Sequence, residues 1–64
     1  MGAFWIEATD GTRTWSVLRC TSEATAHAWC RAMRSMPLFD LQTVDPEHVD
    51  GASYRVVYDA EEDT

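Results

Sequence analysis

The chain predicts an α+β fold of ββαββ order, a four-stranded antiparallel sheet with one helix packed on one face. Three observations predict it. Two segments of alternating polarity flank an Asp10-Gly11 pair. An alanine-rich segment follows, with apolar residues at helical spacing. Two further alternating segments close the chain. Sixty-four residues make one domain, 1–64, in which 60–64 reads as a frayed acidic tail. A chain of this length buries only about 60% of the surface its unfolded form exposes. It can build one sheet layer against one helix, and a deep substrate pocket would cut into a thin core.

Residues 3–9, Ala-Phe-Trp-Ile-Glu-Ala-Thr, read as the first strand and 12–19 as the second. Asp10-Gly11 between them is a strong two-residue hairpin signal, since a type I′ turn needs positive φ at both positions. That turn sets Thr9 opposite Thr12, Ile6 opposite Trp15 and Phe4 opposite Val17. Phe4, Ile6, Trp15 and Val17 then share one face, and Trp5, Glu7, Thr14 and Ser16 share the other.

Thr21 reads as a helix N-cap, with Glu23 in the first turn where a negative charge suits the helix dipole. Over 22–36, Ala26, Trp29, Cys30, Met33 and Met36 follow the i, i+3, i+4, i+7 pattern of a buried stripe. Arg31 and Arg34 near the end complement the dipole. Pro37 ends the helix at Met36. Leu38–Val44 alternates, with Phe39, Leu41 and Thr43 against Asp40, Gln42 and Val44, and reads as a third strand. Residues 45–51 form a loop in which Asp45 can cap a short turn opened by Pro46. Ser53–Asp59 is the fourth strand, with Tyr54, Val56 and Tyr58 on one face.

Charge is the most directional functional signal. Residues 40–64 hold eight acids and one base, Arg55, whereas 1–39 hold three acids and four arginines. Lysine is absent and the net charge is −6. Such a one-sided field repels nucleic acid and anionic membranes and attracts basic protein surfaces. Direct nucleic-acid binding, driven by counterion release from phosphate, has the wrong sign here. The 45% apolar content and seven aromatics describe a folded domain rather than a disordered acidic tail. No apolar run approaches the roughly 20 residues of a membrane span, and no signal peptide is legible. A cytoplasmic setting follows, with Cys20 and Cys30 as reduced, buried thiols.

Chemistry-bearing motifs are sparse. Cys20, His27 and Cys30 fall within eleven residues, but structural zinc needs four ligands and the fourth would be the distant His48. No metal and no cofactor are expected. A Ser/His/Asp arrangement, a glycine-rich phosphate loop and paired histidines on a helix are all missing, so no catalytic residue is assigned and the chain reads as non-enzymatic. Trp5 falls on the face opposite Phe4 and Ile6. It either packs in a small second cluster or anchors an interface, a role in which tryptophan is enriched. The segregated acids serve solubility, or they stand in for a row of phosphates and occupy a basic nucleic-acid groove. The candidate partner-contact residues are Asp40, Asp45, Glu47, Asp50, Asp59, Glu61, Glu62 and Trp5.

In its acids from Asp40 to Asp63, its Phe4-to-Val17 hairpin, its size and its layout, the chain resembles the small acidic anti-CRISPR proteins of bacterial viruses. The resemblance covers the whole chain and rests on no signature motif. It implies a stoichiometric inhibitor that covers the DNA-binding surface of a CRISPR effector, with a type I multi-subunit complex as the implied target. The positively charged first half departs from an all-round acidic mimic and leaves open binding through the aromatic sheet face. The alternative is an acidic interaction module, antitoxin-like or regulatory, that uses an aromatic sheet face or an edge strand. The chain acts as a monomer or a homodimer under either reading.

Overall fold

Ala3–Thr9 forms the first strand, β1, and it is the central one. Thr14–Cys20 (β2) and Ser53–Asp59 (β3) flank it in the order β2-β1-β3, both antiparallel to it. The computed structural model describes residues 2–60. Two helices, Glu23–Arg34 (α1) and Leu38–Val44 (α2), complete the order ββααβ. Among the described residues the sheet therefore has three strands and there are two helices, which corrects the expected four-stranded, one-helix ββαββ layout. The element that differs is Leu38–Val44, a helix rather than a strand. Its short alternation is outweighed by the i, i+3, i+6 spacing of Leu38, Leu41 and Val44. Pro37 at its N-cap and Asp40 in its first turn favour the same outcome. The expected tail lies, beyond Ala60, outside the described residues.

The hairpin forms, but with a longer connection than a type I′ turn. Thr9 pairs with Thr14, so residues 10–13 make the loop. Asp10 sets that loop through its side chain, whose Oδ1 accepts from the N–H of Thr12 at 2.8 Å and of Arg13 at 2.9 Å. Gly11 supplies the positive φ of 94° there. The register is correspondingly shifted, with Ala8 opposite Trp15, Ile6 opposite Leu18 and Phe4 opposite Cys20. A bulge between the Ile6 and Glu7 pairings absorbs one extra residue of β2, Val17. The expected pairings of Ile6 with Trp15 and Phe4 with Val17 are corrected accordingly. The face assignment of β1 is unaffected, because alternation along a strand does not depend on its partner.

Helix α1 starts one residue later than expected. Ser22, not Thr21, is the N-cap, and its Oγ accepts from the N–H of Thr25. Ser35 and Met36 donate back to Ala32 and Met33 and close the last turn. Ala26, Cys30 and Met33 form the buried stripe, while Trp29 lies on its flank and is partly exposed. The helix packs over β3 and β1 more than over β2. Ile6 and Met33, both fully buried, are the largest apolar side chains at the centre of the core. Burial of each stabilises the fold by about 1.5–3 kcal/mol. Trp15, Leu41 and Tyr54 complete the apolar layer between sheet and helices.

Candidate interaction surface

The polar centre of the molecule is Asp45, the C-cap of α2. It is only 2% exposed, although it belongs to the acids read from the sequence as outward contacts. Its Oδ1 accepts from the indole Nε1 of Trp15 at 3.0 Å and from the N–H of Glu47 at 3.2 Å. Its Oδ2 accepts from the Tyr54 hydroxyl at 2.8 Å. Burying a carboxylate is costly unless donors meet it, and these three do. No buried side-chain polar atom among the described residues lacks a partner. The side chain thus ties together β2, β3 and the segment after α2.

The Tyr54 hydroxyl is also 2.6 Å from Nδ1 of His48. The phenol has one proton and gives it to Asp45, so His48 donates through Nδ1–H in this second contact. Burial, then the hydrogen bond to Asp45 and its negative charge, hold the Tyr54 phenol well above its ordinary range. A phenol so placed keeps its proton near neutrality, and the Asp45–Tyr54–His48 chain acts as a clamp. Arg13 extends the cluster, with its guanidinium 4.3 Å from the Trp15 ring centroid and Nη1 3.3 Å from Oε1 of Glu47.

The remaining predicted contacts are spread over the surface. Asp40 and Asp50 are exposed and have no ion-pair partner among the described residues. Glu47 is exposed and holds Arg13. Asp59 is half-buried at the end of β3. Glu61 and Glu62 lie outside the described residues. Strand β3 carries the chain about 20 Å between its ends. Glu47 and Asp50, which precede it, and Asp59, which closes it, therefore stand towards opposite ends of the sheet. The acids are segregated in the sequence and divided in space.

Trp5 lies on the sheet face opposite the helices, between its cross-strand neighbours Arg19 and Val57. Beside it Arg55 holds Glu7, with Nη2 to Oε1 at 2.6 Å and Nε to the same oxygen at 3.2 Å. Among the described elements none packs on this face, and Trp5 is half-buried.

Sequence reasoning missed the apolar surface of α2. Once Leu41 turns inward, Phe39 turns out, because two residues on a helix differ by about 200°. Phe39 is 81% exposed and Leu38 54%. Val49 in the following loop is also exposed. A helical reading that turns Leu41 inward would have put Phe39 outside. The Asp45 clamp had only one local signal, the need of a buried indole and phenol for polar partners. A cleft of about 290 Å³ opens between the end of α1, α2 and the start of β3, lined by Met33, Met36, Leu41 and His48 among others. Cys20 and Cys30 are free, buried thiols, and His27 is exposed on α1 near Glu23. No group of three or more potential metal ligands converges among the described residues. None of the described helices is long and apolar enough to cross a membrane.

Fold and surface together define a small α+β domain, its helices on one face of a three-stranded sheet and an aspartate clamp beneath α2. The chain matches no protein-family model, and no curated protein sequence or solved structure matches it.

Proposed function

We propose that the chain is a non-enzymatic binding protein that docks residues 38–50 onto a basic protein surface. One observation carries the reading. Exposed Leu38, Phe39 and Val49 share this short stretch with exposed Asp40, Glu47 and Asp50. Aromatic anchors ringed by charge are the anatomy of a binding hot spot, and the sign of the ring selects a cationic partner. Acid steering accelerates the encounter, and burial of Phe39 holds the complex. The clamp at Asp45 supports the role by fixing the segment to the sheet, so that little conformational freedom is lost on binding.

The partner class we propose is a nucleic-acid-handling protein whose DNA-binding surface the domain covers, with a type I CRISPR effector complex as the first member to test. Division of the acids between the two ends of the sheet favours an anchored contact over imitation of one continuous phosphate row. The experiment is a pull-down of tagged protein from lysates containing type I effector complexes, at low and high salt, with Phe39→Ala and the pair Asp40→Lys, Asp50→Lys alongside. A salt-sensitive complex that blocks target DNA and is lost in both variants supports the reading. Retention by both variants overturns the assignment of the segment, and absence of any complex overturns the effector as partner.

A second reading has its own observation, the cross-strand row of Arg19, Trp5 and Val57, on which no described helix packs. It predicts a salt-resistant complex that Trp5→Ala abolishes and Phe39→Ala leaves intact.

A further inference from the structure

The two edges of the sheet are not alike. Strand β2 carries the bulge at Val17, a device that blunts an edge against further pairing. Strand β3 pairs with β1 without interruption from Ser53 to Asp59, contains no proline, and has no described strand on its outer side. Its beginning is covered, because the Tyr54 carbonyl accepts from Sγ of Cys30 at 3.3 Å and from Nη2 of Arg34 at 3.2 Å. Backbone groups point outward on alternate residues of an antiparallel strand. The same edge therefore presents the N–H and C=O of Val56 and Tyr58, beyond the reach of those two α1 side chains.

We propose that two copies of the chain pair through this edge, antiparallel and about a two-fold axis at Val57, to form a continuous six-stranded sheet. This inference is independent of the docking segment 38–50. The register follows from the edge itself. Centring on Val57 makes Val56 of one copy and Tyr58 of the other the hydrogen-bonded pairs, and it avoids the occupied Tyr54 carbonyl. It also sets Arg55 directly opposite Asp59 of the second copy, twice by symmetry. Opposite charges at that position attract, at a Cβ separation of about 4.5–5.5 Å. Arg55 already holds Glu7 through Nε and Nη2, and a guanidinium has donors enough for a second carboxylate. Tyr58, 55% exposed where it leans on Phe4, gains cover from Val56 of the second copy. Centring on Val56 instead would oppose Tyr54 to Tyr58 and leave Arg55 facing Val57, without the charge pairs.

Sedimentation of the wild-type chain over a wide concentration range tests the association, and Val57→Cys tests the register. The expected result is a concentration-dependent two-chain species, together with a disulfide between the two copies of the Val57→Cys variant under mild oxidation. Val56→Cys should not link, since its sulfurs would lie on diagonal positions too far apart. Asp59→Arg should weaken association about tenfold, and adding Arg55→Asp to it should restore it. Circular dichroism separates weakened pairing from lost folding. A single-chain species at every concentration overturns the proposal. A dimer that links in the Val56→Cys variant but not in Val57→Cys, or whose strength is indifferent to the charge changes, overturns the register.

Discussion

The indole of Trp15 donates to Oδ1 of Asp45 across thirty residues of sequence, at 3.0 Å, and so fastens the first hairpin to the end of α2. The same carboxylate receives Tyr54 from β3. Asp45→Ala strands a buried indole and leaves the Tyr54 hydroxyl only its contact with His48. Loss of about 3 kcal/mol is expected, a large share of the stability of so small a domain. Asp45→Asn keeps an acceptor for one of the two and should cost about half as much. Urea unfolding at neutral pH measures both. Losses within about 0.5 kcal/mol of wild type, the range of an ordinary surface change, would contradict the clamp.

Tyr54 gives the clamp an alkaline limit. In the unfolded chain its phenol ionises near 10.0, while burial and the neighbouring Asp45 raise that value in the fold. The folded state therefore binds the proton more tightly. The stability this confers is intact below pH 10 and is lost as pH rises above it. Tyr54→Phe removes the titrating group together with its hydrogen bond. The variant should be about 1 kcal/mol less stable at pH 7 but should decline less steeply between pH 9 and 11. Parallel decline of the two proteins would place the alkaline sensitivity elsewhere.

At the hairpin the sign reverses. The N–H groups of Arg13 and Thr12 donate to Asp10 and hold its carboxyl below its usual 3.8. The folded state favours the ionised form, so this contribution is present above that value and disappears as pH falls through and below it. Asp10→Ala should lower the thermal midpoint at pH 7 and reduce the drop between pH 7 and pH 3. An unchanged midpoint at pH 7 would mean that Gly11 alone carries the turn.

These residues mark where the sequence was legible. Strand β3 coincides with the expected Ser53–Asp59, and β1 with 3–9, because alternation over seven residues is a local property that packing did not override. The register of the hairpin was not legible from Asp10-Gly11. The aspartate folds its side chain over the N–H groups of Thr12 and Arg13 and opens a four-residue loop instead of a tight turn. Of the contact residues, Asp40 and Asp50 are exposed, whereas Asp45 is buried among partners two of which are distant in sequence. A count of acids cannot separate these cases. What separates them is the geometry of α2, which delivers its C-cap to Trp15 and Tyr54.

That helix yields the sharpest test of the fold. On a strand, Phe39 and Leu41 would share a face and their truncation would have similar effects. On α2 they point apart, Leu41 being 7% exposed in the core and Phe39 81% exposed in solvent. Leu41→Ala should therefore cost about 2–3 kcal/mol, at the lower end for a buried leucine because the adjoining cleft lets the site relax. Phe39→Ala should change stability by no more than about 0.5 kcal/mol. Denaturant melts of the two variants, with far-ultraviolet circular dichroism to confirm retained helix, provide the comparison. Equal losses would restore the strand and remove Phe39 from the surface. A large loss confined to Leu41→Ala leaves Phe39 free of any folding duty, so that a binding defect in Phe39→Ala can be read as loss of a contact.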